Sequence, residues 1–264
     1  MAELVYAYVS EAYGETRGSS SLPMPTMELK NASCVLTGGA RGLGADLARG
    51  LVERGASVLI SDIDGVDLQD LGIELDQPTM HCNVTERDQV ESLGRAAMEE
   101  FGKIDLWINN AGIWMPYVKA EEADMNRAHL LMEVNYFGLA YGMIEALKHM
   151  QGRGGVIQNT LSVRSLKGKA LGAAYSASKF AAEGFSQAVR DELKDSDIRV
   201  VGAYPYRMKT GLFGEDKHED YDQSMEPADV AKIILDNLEK DDPAERVEIW
   251  APNDVRETQK IKKK

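Results

Sequence analysis

The chain has 264 residues, with 30 Lys and Arg against 43 Asp and Glu, for a formal charge of −13. The length allows one large α/β domain or two small ones, and the acidity works against a phosphate-tracking nucleic-acid surface or an anionic-membrane surface. A hydrophobic share of 44% supports a sizeable core, and no stretch approaches the roughly 18 apolar residues that span a bilayer.

Residues 1–26 read as an extension, apolar-aromatic and then Ser/Pro/Gly-rich. They lack the basic start and apolar core of a secretory signal and the Arg-rich, acid-poor character of a transit peptide. A flexible segment is expected, with a short element docking on the body as the alternative. The domain is expected over 27–254, followed by a tail at 255–264 ending in IKKK.

From Met27 onward, short apolar runs alternate with helical stretches. ASCVLTG (32–38) is a strand ending in Gly, and 40–55 is helical, with Leu43, Leu47 and Leu51 one turn apart. SVLISD (57–62), MHCNV (80–84), IDLWINNAG (104–112), GVIQNTLS (155–162), IRVVGAYP (198–205) and VEIWAP (247–252) continue the strand signal. Helices are expected near 86–102, 124–150, 174–194 and 227–240. This alternation predicts a single-domain, Rossmann-type, doubly wound parallel sheet of about seven strands with helices on both faces. Cys34 and Cys82 fall in apolar runs and read as buried thiols, which suits a reduced, cytoplasmic location. The four histidines are scattered without zinc spacing, and no metal is expected.

TGGARGLG (37–44) joins the first strand to the first helix. Gly38, Gly42 and Gly44 leave no side chain between the backbone and a pyrophosphate, which the amides and dipole of a helix N-terminus attract. Asp62 closes the second strand, where a carboxylate accepts from ribose hydroxyls and repels a 2′-phosphate, so NAD is favoured over NADP. Arg41 is the counter-signal, since a basic loop residue can pair with that phosphate. Asp64 reads as a solvated loop carboxylate.

The motif set resembles the short-chain dehydrogenase/reductase family, in its short single-domain branch, over about residues 27–252. TGxxxGxG is matched by Thr37, Gly38, Gly42 and Gly44; NNAG by Asn109, Asn110, Ala111 and Gly112; and YxxxK by Tyr175 and Lys179. Ser162 precedes the tyrosine at a strand end, and Asn135 in EVNYFG matches the fourth catalytic position. Tyr175 and Lys179 share a helix face. A neighbouring ammonium and the nicotinium ring are expected to lower the phenol pKa, so that Tyr175 serves as general base in alcohol oxidation and general acid in ketone reduction. Ser162 hydrogen-bonds the substrate oxygen. The resemblance implies that Lys179 also holds the nicotinamide ribose and that Asn135 positions a water leading to Lys179.

The same likeness places Thr37, Gly38, Arg41, Gly42, Leu43, Gly44, Asp62 and Ile63 against the cofactor. Asn83, Val84, Asn110, Ala111 and Gly112 follow, then Tyr175, Lys179, Pro205, Met208 and Thr210. Asn109 has a structural job between strands. The family's Gly after Pro205 is Tyr206 here, adding bulk, and strain if the backbone is left-handed there. Residues 211–227 have the composition of a lid, in which Leu212, Phe213, Tyr221 and Met225 cover an apolar substrate. Trp114 and Met115 are the other pocket candidates. Together these suggest a mostly apolar secondary alcohol or ketone, and an acidic lid without a clear Arg clamp works against a polyanionic substrate. Two alternatives stay open: a catalytically weak dinucleotide-binding regulator, and an epimerase or dehydratase using the same tyrosine. Helices 124–150 and 174–194 are apolar on more than one side, and a homodimer or homotetramer is expected through them.

Overall fold

The computed structural model describes residues 27–213 and 221–251, together with the backbone of Tyr6–Val9. The strands are β1 (Tyr6–Val9), β2 (Ser33–Thr37), β3 (Ser57–Asp62), β4 (Thr79–His81), β5 (Leu106–Asn109), β6 (Gly155–Thr160), β7 (Ile198–Pro205) and β8 (Arg246–Trp250). They form one sheet in the order β1-β8-β7-β6-β5-β2-β3-β4. Strands β2 to β8 are parallel, giving the seven-stranded doubly wound sheet. β1 falls within the expected extension and runs antiparallel to β8, Tyr6 opposite Trp250, so the sheet has eight strands among the described residues.

Helices α1 (Gly42–Glu53), α2 (Gly65–Leu75) and α7 (Pro227–Leu238) accompany α3 (Arg87–Phe101), α4 (Met125–Met132), α5 (Leu139–Met150) and α6 (Ala173–Glu192). All five residues of β2 are buried, as both faces of a parallel sheet must be. One core lies between the sheet and α1 and α7, and takes in Leu43, Leu47 and Leu51. The second, around Trp107 and Tyr204, includes residues of α3, α5 and α6. Proline at the start of α7 suits a helix N-terminus. α3 ends on Gly102 at φ +73°, a left-handed C-cap. Cys34 and Cys82 are free and buried, and no helix among the described residues is long and apolar enough to cross a membrane.

Two elements depart from the expected pattern. α2 was not anticipated: Leu68 and Leu71 are its buried face in an otherwise acidic stretch. The single helix expected over 124–150 is interrupted by a π turn at Glu133–Gly138, between α4 and α5. The strand order reverses between β2 and β5. The crevice beyond the carboxyl ends of Thr37 and Asn109 is therefore the place where doubly wound sheets bind ligands.

Candidate active site

At the end of β2 the chain turns through Gly38 at φ +64°. A Cβ there would lie 2.6 Å from the Ala111 Cα, and one on Gly44 would lie 2.0 Å from the Gly38 carbonyl oxygen. Only glycine permits this approach of loop, helix and neighbouring strand. Thr37 Oγ1 accepts from the Asn110 and Ala111 amides at 3.1 and 3.3 Å, and Asn110 Nδ2 donates to Gly38 O at 2.8 Å. These bonds tie TGGARGLG to NNAG. α1 starts at Gly42 with no side-chain cap, so its first-turn amides face the crevice, a cradle that fits a pyrophosphate. The Leu43 side chain lies in the core, so only its backbone belongs to this loop.

Asp62 Oδ2 accepts from the Ala40 amide and Oδ1 from the Asp64 amide, both at 3.0 Å. Its carboxylate therefore sits beside the glycine loop. Arg41 is turned away toward Asp64 at 3.3 Å and Asp67 at 3.8 Å. Asp64 is thus the partner of Arg41 and not a solvated loop group. Ile63 is 60% exposed beside them. Asn83 accepts from Thr85 N and Oγ1, and Val84 is buried beneath Gly138.

Gly112 brings the NNAG segment to the reacting groups: a Cβ on it would lie 3.2 Å from Asn135 Oδ1 and 3.6 Å from Lys179 Nζ. Asn135 sits in the π turn, a distortion that recurs at functional sites. Its Oδ1 accepts from Ile113 N at 2.9 Å, and its Nδ2 donates to Ile113 O and Ser178 Oγ, both at 3.0 Å. Both amide donors are committed, so a water next to Asn135 can use only its carbonyl or its main chain. Ser162 caps the turn Val163–Ser165, accepting from Arg164 N at 3.2 Å, and its hydroxyl donates to Pro205 O at 3.5 Å.

The Ser162 side chain lies near enough to Tyr175 to act on its phenol, favouring the phenolate. Burial, the larger effect, pushes the Tyr175 phenol up to about 12, against the Ser162 side chain and the charge of Arg164. Lys179 by itself does not supply the lowering expected from it together with the nicotinium ring. Lys179 is itself buried, donates to Thr160 O at 3.2 Å, and is pulled down to about 8 by desolvation.

The end of β7 bears on several further expectations. Tyr206 is not among the residues with positive φ, so it stores no left-handed strain. Its amide donates to Ile249 O at 2.9 Å, and its ring packs 5.3 Å from that of Trp250. Arg207 and Arg164 lie over that ring at 4.8 and 5.9 Å, so guanidinium groups do flank the cleft. No spacing in the sequence joins residues 164, 206 and 250; only the fold does. Met208 pairs with Met225, which is buried in the core and does not cover the cleft. Thr210 meets Gly42: a Cβ there would lie 3.2 Å from the Thr210 methyl. Leu212 is 38% exposed, and the Phe213 side chain and residues 214–220 of the expected lid lie outside the described residues. Met115 lines a small apolar pocket with Pro116, Val118, Leu171 and Ala174. Trp114 instead packs edge-on to Tyr117 at 5.4 Å.

The short chain dehydrogenase family profile matches residues 32–220. A 3β-hydroxysteroid dehydrogenase 2 of Eggerthella lenta is 34% identical over 191 residues, 70% of this chain and 74% of the relative. A cis-4-hydroxycyclohexanecarboxylate dehydrogenase of Sinomonas cyclohexanicum is 35% identical over 185 residues, 67% of this chain and 74% of the relative. A short chain dehydrogenase/reductase from Burkholderia phymatum, solved in complex with NAD, shares the fold with a TM-score of 0.79 at 21% identity, covering 89% of this chain and 93% of that one. The chain is an oxidoreductase and belongs to the short-chain dehydrogenase family.

Proposed function

We propose that this chain interconverts a secondary alcohol on an alicyclic ring and its ketone, using NAD. Lys179 and Asn135 converging on Gly112, with the Ser162 side chain close enough to Tyr175 to act on its phenol, carry this reading. The ring preference rests on the relatives named for a hydroxysteroid and a hydroxycyclohexanecarboxylate. When bound, the dinucleotide supplies the hydride acceptor or donor and, oxidised, a positive charge that favours the phenolate. Gly38, Gly42 and Gly44 hold its pyrophosphate, Asp62 its ribose hydroxyls, and Lys179 the second ribose. Tyr175 takes the carbinol proton in oxidation and returns it in reduction. The Ser162 hydroxyl, only weakly held by Pro205 O, turns to the substrate oxygen. Lys179 at about 8 exchanges protons readily near neutral pH and passes them out from Tyr175.

Specificity for NAD rests on three carboxylates. Asp62 beside the glycine loop supports this by repelling a 2′-phosphate, and Asp64 and Asp67 support it by holding the guanidinium of Arg41. A homo-oligomer is also proposed. Leu131, Leu139, Met143 and Val189 are buried in the protomer, whereas Leu130, Phe137, Ile144 and Phe180 are 37–49% exposed on the same helices. A monomer by sedimentation at micromolar concentration would remove that part. The activity is tested by following NADH formation with ring alcohols such as cyclohexanols and hydroxysteroids. Saturable turnover with NAD is expected; tight NADH binding without turnover on the whole panel would overturn the enzymatic assignment.

A further inference from the structure

Arg164 stands two residues after Ser162 on a turn whose backbone is fixed. Its own amide donates to Ser162 Oγ at 3.2 Å, and the Ser162 amide donates to Ser165 Oγ at 3.2 Å. The guanidinium rests 5.9 Å from the centre of the Tyr206 ring. Tyr206 follows Pro205, whose carbonyl accepts from Ser162 Oγ at 3.5 Å, so both ends of this contact are anchored to the catalytic serine. Trp250 packs against the same ring at 5.3 Å, and Arg207 lies 4.8 Å from its centre.

Other arginines of this acidic chain sit on carboxylates: Arg49 on Glu74, Arg54 on Asp236 and Glu239, Arg190 on Glu245. Arg164 does not. It is half-buried, yet among the described residues its side chain makes no hydrogen bond or ion pair, and its guanidinium lies over the Tyr206 face. Five N–H donors in a planar fork are therefore presented without an acceptor, beside the serine that receives the substrate oxygen. A partly desolvated guanidinium on an aromatic face is oriented and weakly hydrated, the state in which a planar carboxylate gains most from two parallel hydrogen bonds.

We infer that Arg164 anchors a carboxylate of the substrate, so that the alcohol handled here is a hydroxy acid with its acid group across the molecule from the carbinol. This rests on the dehydrogenase reading and adds the substrate's charge to it. A carboxylate is favoured over a phosphate ester because a single unpaired guanidinium matches one planar monoanion, and the chain's net charge of −13 disfavours a dianion. Arg164 and Tyr175 are also within electrostatic reach of one another, as one cleft requires.

The test is a ratio measured on one protein: kcat/KM for 4-hydroxycyclohexanecarboxylate over kcat/KM for the uncharged, near-isosteric 4-hydroxycyclohexanecarboxamide. The wild type should favour the acid by about 10- to 100-fold, the range of a charge-assisted hydrogen-bond pair. Arg164→Gln should bring the ratio close to one, and Arg164→Lys should restore part of it. A wild-type ratio near one, or an unchanged ratio in Arg164→Gln, overturns the anchor while leaving the dehydrogenase standing. Binding of 4-oxocyclohexanecarboxylate to the NADH complex, read by NADH fluorescence, separates the two readings. Saturable binding that Arg164→Gln weakens at least tenfold supports the anchor even where nothing is turned over, and then the dehydrogenase reading alone fails. No saturable binding to the wild type overturns the anchor.

Discussion

Replacing Asp62 with Asn removes one negative charge beside the glycine loop and leaves a side chain of the same shape. Two unit charges about 4 Å apart at an effective dielectric of about 20 repel by about 4 kcal/mol. Asp62 is half-buried, and salt screening reduces that several-fold, to on the order of 1.4 kcal/mol per charge. A 2′-phosphate carries between one and two charges more than a hydroxyl. Asp62→Asn should therefore tighten NADPH binding by about 10- to 100-fold. NADH binding should weaken modestly, because the amide removes one of the acceptors proposed for the ribose hydroxyls. The side chain also holds the Ala40 and Asp64 amides, so a loss of about 1–3 kcal/mol in stability should accompany the change. Fluorescence titration with NADH and NADPH, alongside a thermal melt, reads both effects. A wild type that prefers NADPH, or a ratio that moves less than twofold in the variant, refutes the argument, and Arg41 would then be the group reading the 2′ position.

Tyr175→Phe removes only a proton-transferring hydroxyl, so turnover should fall by about 10²- to 10⁴-fold with NADH affinity nearly unchanged. Lys179→Ala should lose both, and equal binding losses in the two variants would contradict the division of roles. Lys179 also predicts a pH dependence of stability. It titrates near 8 when folded against 10.5 as a free side chain, so between those values the unfolded chain holds the extra proton and stability rises with pH. The cost of burying the charge, on the order of 3 kcal/mol, is complete below the folded value. Lys179→Met should thus be more stable than the wild type at pH 7, with the gap narrowing by pH 9.5; a gap constant across thermal melts in that window would exclude this origin. Tyr206→Gly should widen the cleft for bulkier ketones and cost about 1–2 kcal/mol, through the lost contact with Trp250 and the added backbone freedom. A rise in melting temperature would mean that strain is present after all.

What the sequence made legible were features written in short stretches: strands as apolar runs, α1 by its leucine spacing, and the site by contiguous motifs. α2 escaped because Leu68 and Leu71 are scattered among acidic residues and Gly65 reads as a turn. The π turn escaped because one extra residue in a helical turn barely disturbs a pattern of apolar positions. The contact of Arg164 with Tyr206 joins residues far apart in the chain, and no local rule reaches that far. The Tyr175 phenol went the other way from expectation because burial, which has no motif, outweighs its neighbours.

The alignment of the reacting groups depends on a layer that touches neither substrate nor cofactor. Trp107 Nε1 donates to Asn109 Oδ1 at 2.9 Å, Asn109 Nδ2 to Asn159 Oδ1 at 2.9 Å, Asn159 Nδ2 to Ser186 Oγ at 2.9 Å, and Ser186 Oγ to Ala182 O at 2.7 Å. This buried chain runs from β5 through β6 into α6. A Cβ on Gly142 of α5 would lie 2.0 Å from Asn109 Oδ1, so a fourth element is packed against the same amide. Bonds of this kind are strong in a low dielectric and costly to leave unmade, so a slip of α6 along the sheet would break several at once. Ser162 lies just beyond β6, and Tyr175 and Lys179 are on α6. The register that brings the serine to the tyrosine is therefore set below the cleft, by side chains that Asn109, read as structural from its motif, links across two strands. Arg164 and Tyr206, the positions proposed to face the substrate, stand outside that network, where they can change without disturbing the alignment of Ser162 with Tyr175.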